Sequence, residues 1–193
     1  MPDRRYQLTL DHAAEELKAG KVLLFPTDTI WGLGASILQD QATNKIFEIK
    51  RRPKEKSFIM LVSSYEEIGQ YVVDLPHPDD ISYLLNQPTT IIYDNCIGLP
   101  LHLQNADKTG AFRIVSNGFC HELIKLCERP LLSTSPNFSG TATPVNFDEI
   151  DVEIREACDF VLPRWIAQYQ TMSNKASRIV KLEKNGDITI IRE

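Results

Sequence analysis

The 193-residue chain has no Cys-x-x-Cys pair, no His-Glu-x-x-His and no surplus of positive charge. Nor does it have an apolar run approaching the roughly 18 residues of a membrane span. Each absence removes a class of function. Cys96, Cys120, Cys127 and Cys158 are too few and too scattered for a disulfide scaffold, so they read as buried thiols. His12, His77, His102 and His121 fall in no ligand spacing, and no metal held by protein side chains is expected. The N-terminal stretch MPDRRYQLTLDHAAEELKAG lacks the charged-then-apolar order of a signal peptide, so a cytoplasmic protein without a membrane partner is expected. Lys and Arg total 21 against 26 Asp and Glu, a net charge of -5. No global basic field advertises nucleic acid, and any anion site must be local. There is no GxxxxGK[ST], so a bound nucleotide would not use a P-loop, and no GxSxG to support a serine hydrolase.

What is present fits one α/β domain over residues 1–193, with its core from about residue 8. Apolar runs alternate with stretches of helical period, the pattern of a substantially parallel sheet. Asp11 can cap a helix ending near Gly20, and KVLLFPT (21–27) is a buried strand. DTIWGLG reads as a turn, Asp40 caps a second helix, and SFIMLV (57–62) is again a strand. Ser64 and Glu67 make a capping box. PTTIIYD, TGAFRIV and PLLSTS are strands, NGFCHELIKLCE is an amphipathic helix, and another helix is expected near 147–158. Asn185-Gly186 between SRIVKLE and ITIIRE predicts a hairpin.

Three polar segments follow apolar strands, where α/β folds bind ligands. PTDTIWGLG places Thr27, Asp28 and Thr29 at a strand exit, with Gly32 and Gly34 permitting close approach; an ordinary turn with an Asp cap would look the same. KRRPKEK (50–56) holds five cations and one Glu, and is either a solvated helix end or a phosphate site. STSPNFSGTATP (133–144) offers hydroxyls and amides suited to an anion, although such loops are commonplace.

Together these segments resemble the YrdC family of threonylcarbamoyl-AMP synthases, through PTDTIWGLG, the Lys-x-Arg pair Lys50/Arg52 and the Ser-x-Asn pair Ser135/Asn137. PTTIIY, TGAFR and SRIV extend the match over most of the chain. The resemblance implies a twisted open mixed sheet with helices packed on it and a cationic concave cleft. The implied activity joins L-threonine, bicarbonate and ATP into threonylcarbamoyl-AMP and pyrophosphate. A separate downstream transferase would carry the threonylcarbamoyl group to tRNA, so contact with tRNA itself is expected to be weak or indirect.

By the same resemblance Lys50, Arg52, Ser135 and Asn137 are the catalytic set. Lys50, Arg52, Lys56, Thr109, Ser135, Asn137, Thr143 and Arg192 would bind ATP with its Mg²⁺. Thr29, Arg113, Ser133 and Ser177 would form the L-threonine pocket. The chain departs from the family at Trp31, at Pro136, and in LPRWIAQYQTMSNKAS (162–177), which lacks the glycines the family places before Ser177. No additional C-terminal domain is expected. The competing reading is an RNA-binding or translation-associated module of the same fold without synthase activity, which would normally carry more basic charge and stacking aromatics.

Overall fold

A computed structural model describes residues 3–51, 58–104, 107–183 and 185–193. Its first helix, α1 (Arg4–Lys18), starts earlier than Asp11, because Asp3 accepts from the Tyr6 amide at 2.8 Å. The buried stripe already begins at Tyr6 and continues through Leu10, Ala13, Ala14 and Leu17. Asp11 therefore lies inside the helix and accepts a hydrogen bond from Gln7.

The remaining helices are α2 (Asp40–Ile49), α3 (Tyr65–Ile68), α4 (Ser82–Leu85), α5 (Gly118–Cys127) and α6 (Val152–Ala157). The expected helix over 147–158 is divided, since Asn146 caps a 3-10 turn at Phe147–Glu149 and Asp151 caps α6 separately. Ser64 caps α3 by accepting the Glu67 amide at 3.4 Å, while the Glu67 carboxylate reaches back to the Ser63 amide at 2.8 Å rather than to that of Ser64. Cys120 and Cys127 are buried, whereas Cys96 and Cys158 are only half-buried. Among the described residues no helix is long and apolar enough to cross a membrane.

The strands are β1 (Leu23–Pro26), β2 (Trp31–Ser36), β3 (Ile59–Val62), β4 (Thr89–Tyr93), β5 (Gly110–Ile114), β6 (Leu131–Thr134), β7 (Phe160–Val161), β8 (Arg178–Leu182) and β9 (Ile188–Arg192). They form one twisted sheet in the order β7-β1-β2-β6-β3-β5-β4-β8-β9. The α/β class with a mixed sheet holds, but the sheet is not substantially parallel. Three pairings are parallel and five antiparallel. The difference begins at DTIWGLG, which contains β2 as well as the turn. Its glycines disguise a strand that doubles back on β1, and every residue of β2 is buried. Gly34 has to be glycine, because a Cβ there would stand 2.2 Å from the Leu132 carbonyl oxygen. The predicted β8–β9 hairpin is present, with Gly186 at φ +87° in its turn.

The pairing register decides what faces the site. Gly34 pairs Ser133, Ser133 pairs Ile59 and Ile59 pairs Ala111. Two residues along β5, Arg113 pairs Thr90, Thr90 pairs Ile179 and Ile179 pairs Arg192. Paired residues share a face, and residues two apart on a strand share it too. One side of the sheet thus gathers hydroxyls from β4 and β6 and arginines from β5 and β9. Elsewhere α1 and α5 pack together, with Tyr6 edge-on to Phe119 at 5.8 Å.

Asp159 ties three elements together, accepting from the Val22 amide at 2.9 Å and from Lys45 Nζ at 2.7 Å. Burial opposes its charge, yet the Lys45 and Val22 hydrogen bonds and the nearby lysines hold its carboxyl below the usual range. A depressed native pKa stabilises the fold above the unfolded carboxylate value, and that contribution is lost as pH falls through the native one. Asp159→Asn should lower the melting temperature at pH 7 by roughly 2–4 °C, about 1 kcal/mol. The deficit should shrink in acid melts as pH falls through the lowered native value, where the native carboxylate is protonated too. An equal deficit at both pH values would mean that its charge contributes nothing.

Candidate active site

After β1 the chain must reverse into β2 within Thr27–Ile30, and two hydroxyls satisfy the turn. Thr27 Oγ1 donates to the Ile30 carbonyl at 2.7 Å and receives the Thr29 amide at 3.2 Å, with Thr29 Oγ1 2.9 Å away. From the neighbouring part of the sheet Arg113 Nη2 donates to Thr27 Oγ1 at 3.2 Å and lies 3.0 Å from Asp28 Oδ1. That ion pair is not aligned as a hydrogen bond. Arg113 is 5% exposed, and among the described residues its Nε has no hydrogen-bond partner. A buried guanidinium N–H without an acceptor is costly in isolation.

The cavity has a volume of about 210 Å³ and opens over this face of the sheet. Thr29, Arg113, Ser133 and Ser177 all line it, so the structure brings together the four residues assigned to the amino acid. Ser135, Thr143 and Arg192 line it as well. Arg192 donates through Nε and Nη2 to the Ser177 carbonyl at 3.0 and 2.6 Å. Burial first, and then repulsion from Arg113, holds the Arg192 pKa below the ordinary arginine value. Two guanidiniums that disfavour one another across a hydroxyl-lined hollow are groups that could pair with an anion. Trp31, Ile59 and Ile179 supply apolar wall. Gly32 keeps the mouth clear, since a Cβ there would stand 2.8 Å from Ser133 Oγ and 3.1 Å from Thr27 Cγ2.

The glycine-poor segment 162–177 places Ser177 in the cavity despite its composition. A 3-10 helix, Arg164–Tyr169, buries Ile166, and the buried Gln170 then accepts the Cys120 amide at 2.9 Å. Downstream, the Ser173 and Asn174 amides donate to the Asp28 and Thr29 carbonyls at 3.0 and 2.9 Å. Side-chain and backbone bonds thus set the path of this segment. Ser177 Oγ meets Thr90 Oγ1 at 2.8 Å.

The other predicted ligands sit differently. Lys50, 3% exposed at the C-terminus of α2, does not line the cavity. Its ammonium donates to the carbonyls of Ser135 and, at 2.7 Å, Asn137, while the Ser139 amide donates to the Lys50 carbonyl at 2.8 Å. Lys50 therefore clamps the loop that presents Ser135. Asn137 is occupied within that loop, receiving Ser135 Oγ at 2.5 Å and donating to the Thr141 carbonyl at 2.8 Å. Thr109 lies at the far end of β5, donating to Asp107 Oδ1 at 2.8 Å, and borders a different hollow with Cys96 and Lys108. Arg52 and Lys56 lie outside the described residues. Of the cations proposed from the sequence, Arg113 and Arg192 are thus the described ones that line the cavity.

Three contributors were absent from the predicted ligand sets. Thr27 and Asp28 belonged to a segment whose polarity at a strand exit was legible, but their partnership with Arg113 spans 86 and 85 positions. Thr90 carried no motif, and only strand alternation opposite TGAFR could have pointed to it.

The Sua5/YciO/YrdC family model, described as telomere recombination, matches residues 15–193. A Methanocaldococcus jannaschii protein provisionally named threonylcarbamoyl-AMP synthase is 33% identical over 183 residues, covering 94% of this chain and 84% of that protein. The threonylcarbamoyl-AMP synthase of Pseudoalteromonas translucida is 30% identical over 154 residues, 78% of this chain and 82% of its own length. Among solved structures, Pyrococcus abyssi Sua5 complexed with L-threonine superposes with a TM-score of 0.81 at 24% identity, over 95% of this chain and 53% of that one. This chain therefore spans about half of that larger protein. Escherichia coli YciO gives a TM-score of 0.79 at 22% identity, over 100% of this chain and 91% of that chain. With the family model matched over nearly the whole length, and with the fold shared, the chain belongs to the Sua5/YciO/YrdC family.

Proposed function

We infer that the chain is a threonylcarbamoyl-AMP synthase, joining L-threonine, bicarbonate and ATP into threonylcarbamoyl-AMP and pyrophosphate. The observation that carries this reading is the buried Arg113 lining a hydroxyl-rich cavity that Arg192 shares. Arg113 is suited to grip the threonine carboxylate, with Thr29, Ser133 and Ser177 available to its amine and hydroxyl. The amine attacks the bicarbonate carbon and water leaves to give a carbamate, whose oxygen attacks the α-phosphorus as the bond to pyrophosphate breaks. The protein's task is to align anions that repel one another and to stabilise the charge on the departing pyrophosphate.

Arg192, Ser135 and Thr143 border the same cavity on the side suited to phosphate oxygens, with Arg52, Lys56 and Thr109 proposed further along the nucleotide. Lys50 acts in this scheme by holding the Ser135–Asn137 loop as well as by its charge. Magnesium enters with the substrate as MgATP. Magnesium prefers phosphate and water ligands and needs no protein side chain in this scheme. The product would pass to a separate transferase that modifies tRNA, and the net charge of -5 supports only weak contact between this chain and RNA.

Purified protein incubated with MgATP, bicarbonate and L-threonine should yield the adenylate and stoichiometric pyrophosphate, both dependent on bicarbonate and read by mass analysis. A folded preparation that binds ATP but gives neither product would overturn the synthase reading. Tight tRNA binding unchanged by ATP would instead favour the RNA-binding module.

A further inference from the structure

A hydroxyl carries one proton, and a buried hydroxyl proton without an acceptor is costly, so the partners of the buried hydroxyls at the cavity decide which of them give a proton to a ligand. Two pairs can be read in this way. Thr27 Oγ1 commits its proton to the Ile30 carbonyl at 2.7 Å, so towards Thr29 Oγ1, 2.9 Å away, it acts only as acceptor. Thr29 therefore gives its own proton to Thr27, and the lone pairs of its oxygen remain for whatever fills the cavity it lines.

The second pair has the opposite sense. Thr90 is 0% exposed, and among the described residues the hydrogen bond of its hydroxyl is the one with Ser177 Oγ, at 2.8 Å. Were Ser177 the donor, the Thr90 proton would be shut inside the sheet with no acceptor. Thr90 is therefore the donor. Arg192 Nη2 also donates to Ser177 Oγ, at 3.4 Å, so this oxygen receives from two sides and its own proton is left for the cavity that Ser177 lines. Thr90 itself does not line the cavity, and it can act there only through Ser177.

We propose that Thr90 is a positioning residue that fixes Ser177 as a hydrogen-bond donor, so that Ser177 meets an oxygen of the bound amino acid while Thr29 accepts from its amine. The identity of that ligand rests on the synthase reading, whereas the direction of the Thr90–Ser177 hydrogen bond does not.

Neutron diffraction from deuterated crystals reads that direction whatever the ligand. The Thr90 deuteron is expected on the line to Ser177 Oγ, and a Ser177 deuteron aimed at Thr90 would overturn the proposal. Calorimetric titration of L-threonine reads the consequence, with thermal melting as the control for folding. Thr90→Val keeps the branched side chain without its hydroxyl and should weaken threonine about fivefold, with ATP affinity unchanged within about twofold. Thr90→Ser should restore an affinity close to that of the native chain. Ser177→Ala should lose at least as much as Thr90→Val, and combining the two should lose less than about twofold more, because Thr90 acts through the hydroxyl already removed. Fully additive losses, or a threonine affinity that Thr90→Val leaves intact, would overturn the proposal. Should Thr90→Val fail to fold, Thr90→Ala against Thr90→Ser makes the same comparison. A native chain that binds no L-threonine would instead defeat the synthase reading, and the deuteron positions would then decide the direction of the hydrogen bond by themselves.

Discussion

Replacing Arg113 by Lys should lower the affinity for L-threonine by roughly 1.5–3 kcal/mol, about ten- to a hundredfold, with ATP affinity nearly unchanged. The geometry explains why charge alone is insufficient. Arg113 spends Nη2 on Thr27 Oγ1 and the Asp28 carboxylate, and its side chain also lines the cavity. A lysine ammonium concentrates its donors at one point, so it can serve the Thr27–Asp28 turn or the ligand but not both through a planar fork. Adenylate formation at limiting threonine should fall with the affinity, and excess threonine should largely restore it. Arg52→Ala should show the converse, weakening ATP and sparing threonine. Calorimetric titration of each ligand into both variants separates the two roles. A lower melting temperature for Arg113→Lys with threonine affinity intact would mean that the Asp28 ion pair is the whole purpose of Arg113, and the amino-acid pocket would have to be sought elsewhere.

Phe119→Ala should cost about 3–5 kcal/mol of stability, the usual range for emptying a fully buried phenylalanine site. Phe119 is 0% exposed and fills the contact between α5 and α1, with the Tyr6 ring edge-on. Tyr6 also packs against Tyr169 at 4.6 Å, so the void would reach the segment that leads to Ser177. The next residue, Cys120, donates its amide to Gln170. Loosening the start of α5 should therefore disturb the cavity from a distance. Chemical denaturation should show the midpoint fall. At temperatures where the variant remains folded, threonine affinity should fall as well. An intact affinity would show that the 170–177 segment is held by its bonds to Asp28 and Thr29 without help from α5.

Much of this molecule was legible because its signals are local. A strand such as TTIIY or LLST announces itself by β-branched and apolar content, and Asn-Gly between two such runs dictates a tight reversal. Local signals misled where two of them competed. Asp3 and Asp11 could each cap a helix, and the choice depended on Tyr6 finding Phe119 in another element. DTIWGLG reads as a turn by composition, yet from Trp31 onward it is a buried strand, and Gly34 is the residue that fits against the Leu132 carbonyl.

The candidate site divides in the same way. Residue types and their order along the chain sufficed to single out the Thr27–Thr29 turn, the cationic run at 50–56 and the Ser133–Asn137 loop as chemistry-bearing segments, while Arg113 was implied by the family resemblance. Their division of labour was settled only in three dimensions. Sheet register put Thr90 beside Ser177 and brought Arg192 into the same cavity as Arg113, through pairings no single segment encodes. Burial turned Lys50 inward onto the carbonyls of the loop it had been expected to accompany at the phosphates. Periodicity and turn chemistry operate over a few residues, so the sequence alone determined the kinds of element and the segments that bear functional groups. Which groups meet depends on pairings between distant residues, because a register shift of one position would turn every such side chain to the other face.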